Sequence, residues 1–122
     1  MKIRIEDNSV RMRLRKSEVS TLAEQGRLCA TTAFPEQLFE YCLVADADIK
    51  DLEASYSRGK ITVRLPEIWV RDWPDSPKVG FETSFDTGDS ALHILIEKDF
   101  VCLDRDPQTQ KDQFAHPKQG KY

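Results

Sequence analysis

Long apolar runs are missing from this 122-residue chain. A helix that crosses a membrane needs about 20 consecutive apolar residues, so we expect the chain not to span a bilayer. The first ten residues, MKIRIEDNSV, carry charges where a secretory signal has its apolar stretch. The sequence therefore predicts a cytoplasmic protein.

Cysteine is scarce and odd in number, with Cys29, Cys42 and Cys102 each in an apolar, strand-like segment. Disulfide-stabilised domains carry even numbers of cysteines, and cytosolic proteins keep their thiols reduced. We therefore expect reduced, mostly buried thiols rather than a disulfide framework.

Catalytic motifs are absent as well: the chain has no glycine-rich phosphate loop, no H-E-x-x-H and no G-x-S-x-G. Its two histidines are His93 and His116, so few positions offer a base for nucleophilic catalysis. This favours a binding or regulatory module over an enzyme, and we expect no cofactor.

The chain does contain short segments in which charged and apolar residues alternate, as in half-buried strands. Lys2–Ile5 and Val10–Leu14 form such a pair around a turn. Ser17 is suited to cap a short helix that ends at Gly26, and Pro66 to open a second helix that ends near Trp73. The pattern predicts an α+β fold, a mainly antiparallel sheet or small barrel with two short helices.

The second half of the chain repeats the apolar pattern of the first. An ungapped offset of 51 pairs Val10 with Ile61, Leu14 with Leu65, Leu22 with Trp73 and Leu28 with Val79. We interpret the pattern as an internal duplication of a strand-helix-strand-strand unit. It predicts one domain at residues 1–103, with halves of about 1–52 and 53–103, followed by a polar arm at 104–122.

Positive charge is concentrated near the N-terminus, where residues 1–33 carry seven Lys and Arg against four Asp and Glu. With a period of two, Lys2 and Arg4 share one side of their strand, and Arg11, Arg13 and Arg15 share one side of theirs. A two-stranded ribbon with such a face fits the major groove of DNA. The five cations therefore predict a site for an anionic partner such as DNA, RNA or heparin.

The alternative interpretation is a solvated outer face. In that case the same five cations pair with Glu6, Asp7 or acidic residues of neighbouring strands. The acidic remainder of the chain favours this alternative. A structure in which all five are internally paired would contradict the hypothesis of an anionic partner and support this alternative.

Two further hypotheses involve other residues. Cys102, Asp112 and His116 are competent zinc ligands or catalytic groups if the arm folds back, although the paired spacing of structural zinc sites is missing. Trp69 occupies the repeat position of Glu18, which predicts an exposed aromatic contact for a protein partner, whereas Trp73 is expected in the core. The sequence is compatible with a monomer or a homodimer.

Gly59–Ile68, with the sequence GKITVRLPEI, resembles the G-[RK]-[IV]-x-[IV]-P core motif of the AbrB-type swapped-hairpin proteins. Asn8–Leu14 is similar to the corresponding strand of the antitoxin branch of that family. Arg15-Lys16 replaces the proline in the first stretch, and Asp75–Pro77 replaces the Gly-Asp turn after the second. The resemblance implies chains that interlock as a dimer and present basic residues to DNA.

The whole chain also resembles a small bacterial family that opens K-I-R-I-x-x-N-S and has no established activity. This second resemblance implies no particular ligand or reaction.

Overall fold

A computed structural model describes residues 1–100 and 110–115. The strands in these ranges are β1 (Lys2–Glu6), β2 (Ser9–Leu14), β3 (Arg27–Ala33), β4 (Leu38–Asp46), β5 (Glu53–Ser57), β6 (Lys60–Pro66), β7 (Gly80–Asp86) and β8 (Ala91–Lys98). The helices are α1 (Lys16–Gln25) and α2 (Glu67–Arg71), followed by a 3-10 turn at Trp73–Asp75. The predicted combination of short strands and two short helices is confirmed. Neither helix is long and apolar enough to cross a membrane.

The strands form two four-stranded sheets, ordered β1-β2-β8-β7 and β3-β4-β6-β5. In each sheet the central pair is parallel and both outer pairs are antiparallel. The expected mainly antiparallel sheet or small barrel is therefore replaced by two open mixed sheets. Parallel neighbours need a long connection between them, and here each central pair joins strands from different halves of the chain.

The chain divides into two compact units, one made of residues 1–19 with those from 77 onward and one of residues 20–76. The first unit contains the sheet β1-β2-β8-β7, and the second contains β3-β4-β6-β5 together with α2. The predicted single domain at 1–103 and the arm at 104–122 stay predictions.

Each sheet has one apolar face because successive side chains of a strand point to opposite sides. In the first unit Met12 and Leu14 of β2 and Ile96 of β8 are fully buried. In the second unit Leu43 of β4 and Leu65 of β6 are fully buried. Burying a side chain of this size stabilises a fold by about 1.5–3 kcal/mol, so these apolar faces form the cores.

Helix α1 ends at Gln25, and Gly26 follows directly after it, as the sequence predicts, with a φ of +72° that a side chain would disfavour. Its N-terminus differs from the prediction, because Ser17 lies inside the helix rather than before it. Glu18 accepts a hydrogen bond from the backbone N–H of Arg15 at 2.8 Å, and Asp112 accepts one from Ser17 at 3.0 Å. The cap is thus supplied partly from a residue 95 positions away.

The two sheets share their strand order and register. Adding 51 to the limits of β1 (2 and 6) gives those of β5 (53 and 57), and the register pair Lys2–Arg13 becomes Glu53–Arg64. Adding 53 to the pair Arg27–Val44 of β3 and β4 gives Gly80–Glu97 of β7 and β8.

By strand register, the ungapped offset of 51 is therefore wrong beyond the helix. Leu28 matches Phe81 rather than Val79, a shift of two residues. The segment from the start of the helix to the next strand accounts for the difference, because it has eleven residues before β3 (16–26) and thirteen before β7 (67–79).

The expectation of reduced thiols is wrong for two of the three cysteines. Cys29 of β3 and Cys42 of β4 form a disulfide, with Cα atoms 4.1 Å apart. The two residues lie directly opposite one another in the strand register. Sequence spacing alone did not show that the strands align these positions, and Cys102 lies outside the described residues.

Candidate functional site

Four of the five predicted basic residues lie on one face of β1 and β2. Lys2 is directly opposite Arg13, and Arg4 is directly opposite Arg11. The opposite face of β2 carries its buried apolar side chains. The alternation in the sequence therefore places Lys2, Arg4, Arg11 and Arg13 together; we call them the basic face.

Each of the five cations has a carboxylate within 4.0 Å. The pairs are Lys2 with Asp99 at 3.1 Å, Arg4 with Glu6 at 3.1 Å, Arg11 and Arg13 with Glu97 at 3.3 and 2.9 Å, and Arg15 with Glu18 at 3.3 Å. This is the internal pairing that the alternative interpretation of a solvated face describes.

The four ion pairs of the basic face differ in the exposure of their side chains. Lys2 is bound to Asp99, whose side chain is only 5% exposed, whereas Arg4 and Glu6 are each 66% exposed. Arg11 shares a single carboxylate, Glu97, with Arg13. Exposed ion pairs contribute about 0–1 kcal/mol, so the Arg4–Glu6 pair is the weakest of the face, whereas Arg11 is 38% exposed and its partner Glu97 is 16% exposed.

A cavity of about 170 Å³ lies beside these two arginines. Its lining includes Arg4 and Arg11 from the hairpin, Ser9 at the start of β2, and His93 of β8. His93 contacts Glu82 through Nε2 at 3.3 Å and Ser84 through Nδ1 at 3.1 Å. The side chain of His93 is 45% exposed on the same face.

Arg15 belongs to a different cluster, at the start of α1. Its side chain pairs with Glu18 and lies 3.9 Å from Asp112. Hydrogen bonds from the Met1 amino group and from Arg15 outweigh the effect of burial, so the pKa of Glu18 lies below its usual value. Arg15 therefore contacts groups that organise the helix start rather than the basic face.

Asp112, one of the three residues in the metal hypothesis, is occupied by the same helix start. Its carboxylate accepts hydrogen bonds from the backbone and hydroxyl of Ser17, and its carbonyl accepts one from Lys16 at 2.8 Å. These contacts lower the pKa of Asp112, and the hydroxyl bond is the largest cause. Cys102 and His116 lie outside the described residues.

The two tryptophans differ in burial. Trp73 is 1% exposed and is a core residue, as predicted. Trp69 is half-buried, and the neighbouring Ile68 is 65% exposed. The role of Trp69 as a partner contact stays a prediction.

Two features were missed by sequence reasoning. Lys98 is only 6% exposed, with its ammonium group 4.8 Å from the ring centre of Phe114, and burial lowers its pKa. The second feature is a cluster on β3 and β4 in which the ligand atoms of Cys29, Glu40 and Cys42 all lie within 4.8 Å of one another. The two-residue spacing of Glu40 and Cys42 in the sequence indicates that both lie on one face of a strand. The position of Cys29 beside them depends on the pairing of β3 with β4, which the sequence pattern does not show.

These features define an α+β protein with two open mixed sheets, one of which carries a partly neutralised basic face. The chain belongs to a family of unknown function, DUF7009, whose sequence profile matches residues 1–118. No curated protein and no solved structure matches the chain significantly. The expectation of a family without established activity agrees with this membership, and the resemblance to AbrB-type proteins stays a prediction.

Proposed function

We propose that the protein is a binding module that recognises a polyanionic partner through the basic face, with Arg4 and Arg11 as its principal contacts. The observation that carries the proposal is the placement of these two arginines directly opposite each other beside one cavity. Lys2 and Arg13 add positive charge two register positions along the same hairpin, on the same face. Arg15 is left out because of its contacts at the helix start.

The internal pairing of these cations counts against the proposal, but the Arg4–Glu6 pair is exposed on both sides and can exchange partners. Glu6 is as exposed as Arg4, so a phosphate or sulfate group can displace this carboxylate at small cost. Arginine also matches the geometry of phosphate oxygens through two parallel N–H groups. Ser9 and His93 offer further hydrogen-bonding groups in the same cavity.

We also propose that the two halves arose by duplication and that the protein acts in the cytoplasm. The equal strand order and register of the two sheets support the duplication. Each sheet combines a hairpin from one half with a hairpin from the other. This exchange is what the resemblance to swapped-hairpin proteins implies, within one chain.

Binding to a short DNA duplex, an RNA of the same length and heparin, each over a range of salt concentrations, tests the proposal. Each phosphate contact contributes about 0.9 to the slope of log affinity against log salt for duplex DNA. The double variant Arg4→Gln/Arg11→Gln is therefore expected to lower that slope by about two. Glu97→Gln is expected to tighten binding because it releases Arg11 and Arg13 from their shared partner.

The matched control is Arg64→Gln/Arg71→Gln, which removes the same charge from the other compact unit. It is expected to leave the salt slope unchanged. Absence of binding to all three polyanions at low ionic strength would contradict the proposal, as would equal losses in the test and control variants.

A further inference from the structure

The Cys29–Cys42 disulfide lies on the polar face of the sheet β3-β4-β6-β5. Glu40 shares this face with Cys42, since both are in β4 and two residues apart. The two sulfurs differ in access: Cys29 is exposed, whereas Cys42 is fully buried. An external thiol can therefore reach one sulfur of the bond and not the other.

Charged groups surround the buried sulfur. Arg27 directs its guanidinium group at Cys42 Sγ over 3.9 Å. Glu40 lies within 4.8 Å of both sulfurs, and its carboxylate is paired with Lys60 at 3.8 Å. A neighbouring cation stabilises a thiolate and lowers the pKa of the thiol, so Arg27 makes Cys42 the better leaving group.

The hairpin is also closed by the pairing of its two strands. Strands β3 and β4 already pair over seven register positions, from Arg27–Val44 to Ala33–Leu38. The disulfide lies between the ends of this ladder, where the backbone hydrogen bonds hold the strands together. Its position is therefore consistent with a bond that opens and closes in the folded protein.

We propose that Cys29 and Cys42 form a reversible dithiol–disulfide site that reacts with a small dithiol reductant. The thiolate of the reductant attacks Cys29 Sγ, a mixed disulfide forms there, and the electron pair of the broken bond leaves on Cys42, next to Arg27. The second thiolate of the reductant then attacks the reductant's first sulfur, which is bound to Cys29 in the mixed disulfide. The reductant becomes a cyclic disulfide, and Cys29 is released as a thiolate.

The step balances without any further reactant. The protein disulfide gains two electrons and two protons, and the dithiol loses both and becomes a disulfide. Oxidation by a disulfide compound runs the same sequence in reverse. In a reducing cytosol, disulfides that do form are usually catalytic or redox-sensing, which agrees with the cytoplasmic location proposed above.

The test uses the full chain with Cys102→Ser, so that only two thiols are counted. Oxidised protein is mixed with dithiothreitol, quenched with an alkylating reagent at set times and analysed by mass spectrometry. The folded protein is expected to be reduced much faster than it unfolds, as followed by circular dichroism. Reoxidation by oxidised glutathione is expected to restore the intramolecular bond.

Arg27→Gln is expected to slow reduction by about threefold, because the departing Cys42 thiolate loses the neighbouring guanidinium group. Its matched control is Arg64→Gln, since Arg64 lies in the same row of the sheet, two strands away. The control is expected to keep the original rate. Cys29→Ser with an unchanged far-ultraviolet spectrum would show that the fold survives without the bond.

Two outcomes would overturn the proposal. Reduction at the rate of global unfolding would make the disulfide a permanent structural bond. Freshly purified protein with free thiols and about one zinc ion per chain, lost in Cys42→Ser, would make Cys29, Glu40 and Cys42 a metal site instead.

Discussion

Charged residues in this protein differ in how much of their side chain is exposed to water. Asp99 is almost fully buried, and it holds Lys2 at 3.1 Å and Gln113 at 3.0 Å. Arg4 and Glu6 form an equally short pair in which each side chain is 66% exposed. Two ion pairs of equal length therefore differ in how easily they exchange partners: the exposed pair exchanges at small cost, and the pair with a buried carboxylate does not.

Asp112 provides a prediction at the residue scale. Asp112→Ala is expected to lower the free energy of unfolding by about 0.5–1 kcal/mol near pH 7, the effect of losing a helix cap. The pKa of Asp112 is lowered in the folded state, chiefly by the Ser17 hydroxyl. A lowered carboxyl pKa stabilises the fold above the unfolded value and loses that effect as the pH falls through the folded value.

The difference between Asp112→Ala and the original chain is therefore expected to shrink below about pH 4. Urea denaturation near pH 7 and near pH 3 measures it. Asp89→Asn is the control, because Asp89 is exposed in the turn before β8. An Asp112→Ala effect that stays constant across this range would contradict the assigned cap.

At the scale of elements, the strands follow their sequence pattern closely and α2 does not. In β2 the buried residues alternate with exposed or half-buried ones over the whole strand. Helix α2 has only five residues, of which Val70 is buried. A helix of little more than one turn has few intrahelical hydrogen bonds, so packing rather than helix propensity stabilises it.

Leu65 and Ile68 allow a matched test of this difference. Leu65→Ala is expected to lower the free energy of unfolding by about 2–5 kcal/mol because the side chain is fully buried in β6. Ile68→Ala removes a side chain of similar size that is 65% exposed. This variant is expected to change the free energy of unfolding by less than about 0.5 kcal/mol. Chemical denaturation of both variants gives the comparison, and equal losses would contradict the assigned orientation of α2.

At the scale of the whole molecule, neither half of the sequence completes a sheet. The hairpin β1–β2 pairs with β8, and β6 pairs with β4, so each sheet takes two strands from each half. The halves are therefore connected through two parallel strand pairs. A fragment that contains only one half of the sequence has one central strand of each sheet and lacks the parallel strand that pairs with it.

Separate fragments of residues 1–52 and 53–122 are therefore expected to lack native β structure alone and to regain it when mixed. Circular dichroism of each fragment and of the equimolar mixture measures this. A self-associating 1–52 fragment that folds without its partner would support the proposed duplication. A folded monomer of residues 1–52 would contradict the interleaved strand order.

The sequence predicted the local elements well because local periodicity decides them. The bounds of β1, β2 and α1 lie within a residue or two of the alternating and helical patterns. The four cations of the basic face were also placed correctly on one side, since alternation sets the side of a strand. Their acidic partners Glu97 and Asp99 were not identified, because they come from positions more than 80 residues away.

The sequence by itself determined which side chains of each strand share a face, because that depends only on the two-residue period of an extended backbone. Tertiary structure decided which strands are neighbours, and with that the division into two mixed sheets. It also placed Cys29 opposite Cys42 and Asp112 at the start of α1. These contacts join residues from separate elements, and no local pattern in the chain encodes the distance between them.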